Sequence, residues 1–249
     1  MKVGQLWNAG LTTTDLGLPL VCGGFVEGPG VSKDNPTCTV YDPERDSWRF
    51  WSEYPAFSGG AAAVKSPNGS FWILQGTDTF YQKDHKFTPG VPAPEYLWYG
   101  CAMYLNDSAT VAVEDEFHIF NHVSMEWTNI SSPSGHKFDA GLACGMIQGR
   151  YAAFIKPASD YVALLDVRSQ VWSEGPVFPN GTRAYSTTVP YRDSFLVVGG
   201  YTQGYRVPTD EIYFLNGTSM AWELMPHKMS QPRVGFYAAL VPDEFVEFI

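Results

Sequence analysis

The chain has 249 residues, 45% of them apolar and 15% aromatic, with 24 glycines and 18 prolines; this is a strand-and-turn composition and excludes a disordered chain. Its formal charge of -10 repels phosphate backbones, so no nucleic-acid partner is expected. No stretch reaches the roughly 18 apolar residues of a membrane span, and the N-terminal MKVGQLWNAGLTTTDLG lacks the apolar core of a secretory signal.

In chain order, LWNAGL offers a first short strand, and PLVCGG from Pro19 is an apolar strand closed by a glycine pair. CTVYDP from Cys38 follows. Asp42, Glu44 and Asp46 then read as turn formers ahead of Trp48, because Asp and Pro build β-turns. The same order recurs. An aromatic follows a strand residue by seven positions at Tyr41/Trp48, Phe80/Phe87, Phe120/Trp127, Leu165/Trp172 and Leu215/Trp222, with anchors 39 to 50 residues apart. A proline follows each anchor: Pro55, Pro92 or Pro94, Pro133, Pro176 or Pro179, and Pro226. Proline cannot donate to a ladder, so it marks a strand end and a crossing to the next unit. Next comes a strand rich in small residues: GGAAAV from Gly59, YGCAMYL from Tyr99, AGLACGMI from Ala140, AYSTTV from Ala184 and GFYAAL from Gly235. An apolar strand succeeds each of these. Four strands at a period of about 40–50 residues make a propeller blade, with the small residues on the crowded innermost strand.

The best-formed repeat runs from Ser194 to Pro226 and reads SFLVVGG, YTQGYRVPT, DEIYFLNG and TSMAWELMP. A glycine pair after an apolar strand, then a loop, a tyrosine strand and a tryptophan strand, resembles a kelch repeat. Only the first and fifth repeats keep the pair; FWILQG keeps one glycine, and TVAVED and YAAFIKP keep none. The resemblance implies an all-β chain, a kelch-type β-propeller in one domain over residues 1–249. Five four-stranded repeats span 7–55, 56–94, 95–133, 134–179 and 180–230, and a partial one spans 231–249, for six blades. Trp48, Trp127, Trp172 and Trp222 are expected wedged between blades. The ends fall about half a blade short, so the expectation is a fragment whose missing upstream segment would carry a signal peptide.

Two features point to the secretory pathway. Asn68, Asn106, Asn129, Asn180 and Asn216 each open an Asn-X-Ser/Thr sequon, five of the eight asparagines where chance gives about one. Asn-Gly turn chemistry accounts equally for Asn68, Asn180 and Asn216, but not for Asn106 and Asn129. The cysteine count is even. Cys22 and Cys38 fall on adjacent strands, where facing Cβ atoms lie about 4.5–5.5 Å apart; they are either a bridge or two thiols. Secreted invertebrate kelch proteins show a similar Cys-Gly-Gly … Cys-x-x-Tyr-Asp pattern, and this resemblance implies the bridge. Cys101 and Cys144, on inner strands of neighbouring repeats, are left open between a pair and small core residues.

No catalytic, cofactor or metal motif emerges. His118 and His122 are four apart, which on a strand puts them about 13 Å apart on one face, unsuited to a shared ion. No nucleophile elbow or phosphate-cradling glycine loop occurs. The resemblance places a binding face on the blade crossings and on the loops after the glycine pair. Those segments carry Trp98, Tyr99, Lys137, Phe138, Arg183, Tyr185, Arg233 and Phe236, and the loop Thr202 to Thr209 adds Tyr205 and Arg206. Tyr, Trp and Arg are the usual interface anchors. The expected function is a non-enzymatic, extracellular scaffold for a protein or glycan, with Trp98, Tyr99, Arg183, Tyr185, Tyr205, Arg206 and Arg233 as contact residues and no cofactor. The alternative is a propeller enzyme, a galactose-oxidase-like oxidase or sugar isomerase.

Overall fold

The computed structural model describes residues 6–239 except 8, 15, 29–30, 56–60, 66–69, 97–100, 107–108, 114–115, 134–135, 137, 139–140, 180, 182, 203–205 and 237. The chain divides into two compact units, residues 1–99 with 239–249, and residues 100–238. Among the described residues both are built from strands, and one 3-10 turn, Pro43–Arg45, is the sole helical element.

The first unit holds β1 (Leu6–Trp7), β2 (Gly10–Thr13), β3 (Pro19–Cys22), β4 (Phe25–Gly28), β5 (Val31–Asp34), β6 (Thr37–Asp42), β7 (Ser47–Glu53), β8 (Ala61–Lys65), β9 (Phe71–Gln75), β10 (Asp78–Lys83) and β11 (Lys86–Pro89). These form two four-stranded antiparallel sheets, β2-β3-β6-β7 and β8-β9-β10-β11, and a three-stranded sheet, β1-β4-β5. LWNAGL is therefore split: Gly10–Thr13 supplies the inner strand, while Leu6–Trp7 leaves to pair with Phe25 and Val26. The core of this unit gathers Leu20, Cys22, Cys38, Val40, Tyr54, Phe71, Ile73 and Phe80.

The second unit holds β12 (Cys101–Asn106), β13 (Ala109–Val113), β14 (Phe117–Asn121), β15 (Glu126–Ile130), β16 (Ala143–Ile147), β17 (Tyr151–Ile155), β18 (Val162–Asp166), β19 (Val171–Glu174), β20 (Thr187–Tyr191), β21 (Ser194–Val198), β22 (Tyr201–Thr202), β23 (Val207–Pro208), β24 (Ile212–Asn216) and β25 (Ala221–Leu224). Three antiparallel sheets result, β12-β13-β14-β15, β16-β17-β18-β19 and β20-β21-β24-β25, with β22-β23 as a separate two-stranded piece. The described residues after β25, which include 231–236 and 238–239 of the partial repeat expected over 231–249, form no further strand; residues 240–249 lie outside the description.

The aromatic repeat has a simple local cause. In four sheets an Asn or Asp ends the third strand, a four-residue loop follows, and its last residue is left-handed: Asp46 (φ 45°), Met125 (59°), Gln170 (56°) and Met220 (52°). The side chains of Asn121, Asp166 and Asn216 each accept from two backbone N–H groups of their own loop, at 2.8–3.2 Å. This local Asx bonding fixes the loop length and so the register. It sets Trp127, Trp172 and Trp222 directly opposite Phe120, Leu165 and Leu215; in the first sheet the Pro43–Arg45 turn sets Trp48 opposite Tyr41 without a side-chain cap from Asp42. The second sheet differs. Its turn has two residues, Asp84 and His85, both left-handed (φ 50° and 62°), the backbone of a type I′ hairpin. Phe80 consequently faces Pro89, and Phe87 faces Gln82, two places from the expected register.

The tryptophans bind neighbouring sheets of the second unit. Trp172 packs edge-on against Phe117 and donates Nε1–H to the Ser131 carbonyl at 2.7 Å. Trp222 packs against Phe178 and donates to the Pro176 carbonyl at 3.0 Å. Trp48 departs from that expectation: it is 39% exposed and its ring meets Tyr41 at 5.6 Å. A bulge between Cys38 and Thr39 gives β7 one extra residue, and Trp51 becomes the ring that stacks on Phe71 and His85.

Cys22 and Cys38 face each other across β3 and β6 at disulfide distance, with Cα atoms 4.0 Å apart. Cys101 and Cys144 also lie at disulfide distance and join the inner strands β12 and β16 of adjacent sheets. The open choice at this second pair is thereby resolved toward a bridge. Two such bridges fit an oxidising compartment. No described helix is long and apolar enough to cross a membrane.

Candidate binding face

The glycine pair marks where the chain leaves its sheet. Between the second and third strands, the second sheet needs only Gly76 and Thr77, and the fourth needs 156–161. The two sheets with the pair insert a hairpin instead: β4-β5 after Gly23-Gly24, and β22-β23 after Gly199-Gly200. All four glycines are left-handed, at φ 69°, 81°, 62° and 93°, a region that L side chains enter at a cost. At Gly23, Gly199 and Gly200 there is also no room for a side chain. A Cβ on Gly23 would lie 2.6 Å from the ring of Tyr54, which burial and, less strongly, the Asp78 charge hold above the usual phenol range. The Tyr54 hydroxyl donates to Gln75 Oε1, which fixes the ring over the glycine.

The second excursion is the better built of the two, and main-chain bonds stitch it to both flanking crossings. Ala184 and Tyr201 exchange N–H···O bonds at 3.3 and 2.8 Å. Gly200 donates to the Arg233 carbonyl, Arg233 to that of Thr209, and Thr209 to that of Gly200, at 2.8–3.3 Å. Tyr185 donates to the Gly141 carbonyl and accepts from the N–H of Gly235. Inside the hairpin, Thr202 Oγ1 donates to the Val207 carbonyl at 3.1 Å. The result is a base held by main-chain bonds, beside which Arg206, Val207 and Pro208 are exposed.

Arg183 stands beneath this ladder. It is fully buried and donates from Nη2 to Glu211 Oε2 at 2.5 Å. Its guanidinium carbon lies 5.4 Å from the ring centroid of Phe178 and 5.3 Å from that of Tyr213, within cation–π range. Nε and Nη1 have no hydrogen-bond partner among the described residues. Glu211 in turn receives the Gly199 N–H on its carbonyl, and its own N–H donates to Thr209 Oγ1. The pair thus links the core of the last sheet to both ends of the excursion.

The expected contact residues separate accordingly. Arg206 and Arg233 are exposed, Tyr185 is half-buried with its ring edge-on to Tyr201 at 6.4 Å, and all three lie on the stitched segments. Arg183 does not reach the surface, because its charge is held inside by Glu211 and two rings. Phe138 is likewise core, packed edge-on to Phe117. Trp98, Tyr99, Lys137 and Tyr205 lie outside the described residues. Sequence reasoning missed the inserted hairpins themselves, although the extra length after each glycine pair was a usable signal.

Of the sequons, Asn68 and Asn180 fall outside the described residues and Asn106 closes β12. Asn129 is exposed on the outer strand β15, with Nδ2 donating to Glu116 at 2.9 Å. Asn216 is engaged at both ends of its amide: the oxygen accepts from Thr218 and Ser219, and the nitrogen donates to Glu223.

No family model matches this chain, and no curated protein does. Among solved structures, that described as the structure of YjhT matches with a TM-score of 0.73, over 90% of this chain and 85% of its own, at 15% identity. The likeness is one of fold. With the repeated four-stranded antiparallel sheets, it places the chain among the β-propellers.

Proposed function

We propose that this propeller is a non-enzymatic, secreted binding module of kelch type that engages a protein or glycan through the hairpin inserted after Gly199-Gly200. One observation carries the reading. The hairpin after Gly199-Gly200 is anchored by main-chain bonds on both sides, yet it turns arginine, valine and proline outward, where they serve no described core contact. A rigid base under exposed Arg and apolar groups limits the entropy lost on association, and Arg is an enriched hot-spot residue. Tyr185 and Arg233 border the same base.

The test compares the wild-type chain with the Arg206→Ala/Val207→Ser double variant on arrays of extracellular proteins and of glycans. Both positions are exposed, so the variant should keep its melting temperature. Specific wild-type signals should weaken at least tenfold in the variant. Undiminished signals, or turnover of sugars by oxidation or isomerisation in an NMR assay, overturn the reading.

The secreted assignment rests on the two disulfide-distance pairs and the sequon excess. Protein recovered from the medium of secreting eukaryotic cells should carry glycan on Asn129, which is exposed on an outer strand. An unmodified Asn129 peptide by mass spectrometry contradicts the assignment.

A further inference from the structure

Among the described residues, ten that are not glycine have a positive φ, and nine of these lie in loops joining consecutive strands of one sheet. The tenth, Tyr185 (φ 54°), lies in a crossing between sheets, two residues ahead of β20. The flanking crossings hold glycine at that place: Gly141 (φ 86°), two residues ahead of β16, and Gly235 (φ 57°). The three are joined in series. Tyr185 N–H donates to the Gly141 carbonyl at 2.9 Å, and Gly235 N–H donates to the Tyr185 carbonyl at 2.8 Å. The crossing therefore requires a left-handed residue. Glycine adopts that conformation without steric cost, and a bulky ring there is a strained exception. The ring also needs room, and Gly141 provides it: a Cβ on Gly141 would lie 3.0 Å from two carbons of the Tyr185 ring. Strain of this kind gathers at sites of function.

We propose that Tyr185 is a ligand contact of the binding module and that the ligand it meets is a glycan. This rests on the binding reading above and narrows it. The main chain beside the ring is already spent. Ala184 and Tyr201 bond each other, Tyr185 bonds Gly141 and Gly235, and Gly200 bonds Arg233 and Thr209, each through both N–H and C=O. A peptide cannot add as a strand where no main-chain group is left to pair. Side chains remain. Tyr185 and Tyr201 are half-buried, with their rings edge-on at 6.4 Å. Arg206 and Arg233 are exposed on the same stitched segments, and neither guanidinium has an ion-pair or hydrogen-bond partner among the described residues. A sugar suits that set: its C–H face packs on an aromatic ring, and its hydroxyl oxygens accept from guanidinium N–H groups.

The experiment prints mannose-, galactose- and N-acetylglucosamine-terminated oligosaccharides beside extracellular proteins. It compares the full chain with Tyr185→Gly, Tyr185→Asn, Tyr185→Phe and the Arg206→Ala/Val207→Ser double variant. Glycine and asparagine enter the left-handed region most easily. The strain they relieve offsets the packing they lose, so both variants should melt at or above the wild-type temperature. Both should bind oligosaccharide at least tenfold more weakly, while Tyr185→Phe, which keeps the ring, should retain most of the binding. Glycine and asparagine variants that melt well below the wild type overturn the proposal, because the ring then serves packing alone. Undiminished oligosaccharide binding by Tyr185→Gly also overturns it, and a loss confined to the double variant would then leave the hairpin reading standing. Binding to proteins alone refutes the glycan, and binding to neither surface refutes the module as well.

Discussion

Gly200→Ala should destabilise the chain by about 3 kcal/mol, read as a lowered urea midpoint at constant slope. Two costs add. At φ 93° an L side chain is strained by about 1–2 kcal/mol. The new Cβ would also lie 2.8 Å from Ser186 Cβ, 2.9 Å from the Ala184 carbonyl oxygen and 3.0 Å from the Ser186 nitrogen. Those last two are main-chain atoms of the crossing to which the excursion is stitched, so they cannot swing aside, and overpacking of this kind costs about 1–3 kcal/mol. Two other glycines separate the terms. Gly149 has φ 60° with nothing within 4 Å, so Gly149→Ala meets the strain alone, about 1 kcal/mol. Gly145 has ordinary strand geometry, but its Cβ would lie 2.3 Å from the Phe195 ring of the next sheet, so Gly145→Ala meets the crowding alone. A Gly200→Ala loss no larger than that of Gly149→Ala would refute the crowding argument.

The same glycines show how far the sequence could be read. The small residues of the inner strands were legible as a sign of crowding, and Phe195 against Gly145 is that crowding made specific. The period was legible because the Asx loop fixes its own length through local hydrogen bonds, which sequence proximity guarantees. Where a different local device took over, the reading slipped: the two-residue Asp84-His85 turn moved Phe87, and a one-residue bulge sent Trp51 inward in the first sheet. Both are choices between turns or registers of nearly equal local cost, decided by what packs across the sheet. The residues expected to make contacts do not share one setting in the structure. Arg183 has the composition of an interface anchor, yet only the positions of Glu211, Phe178 and Tyr213, distant in the chain, make it a core residue.

Arg183 gives the second large effect. Arg183→Ala should cost about 3–5 kcal/mol, because it leaves Glu211 without its partner and opens a void between Phe178 and Tyr213. Arg183→Met should cost clearly less. The methionine fills the space between the two rings without a buried charge, and the partly exposed Glu211 side chain can turn to water. The double variant Arg183→Met/Glu211→Gln should lie nearer the wild type than the sum of its single changes, with a coupling of about 1–3 kcal/mol in a double-mutant cycle. The loss should also be local before it is global. Glu211 anchors the excursion through the Gly199 and Thr209 bonds, so amide exchange at Gly199, Tyr201 and Thr209 should rise more in Arg183→Ala than exchange in β16-β19. Equal acceleration everywhere would mean that Arg183 supports only general stability. Selective loosening would show that this buried cation holds the hairpin after Gly199-Gly200 in place from within the core of the last sheet.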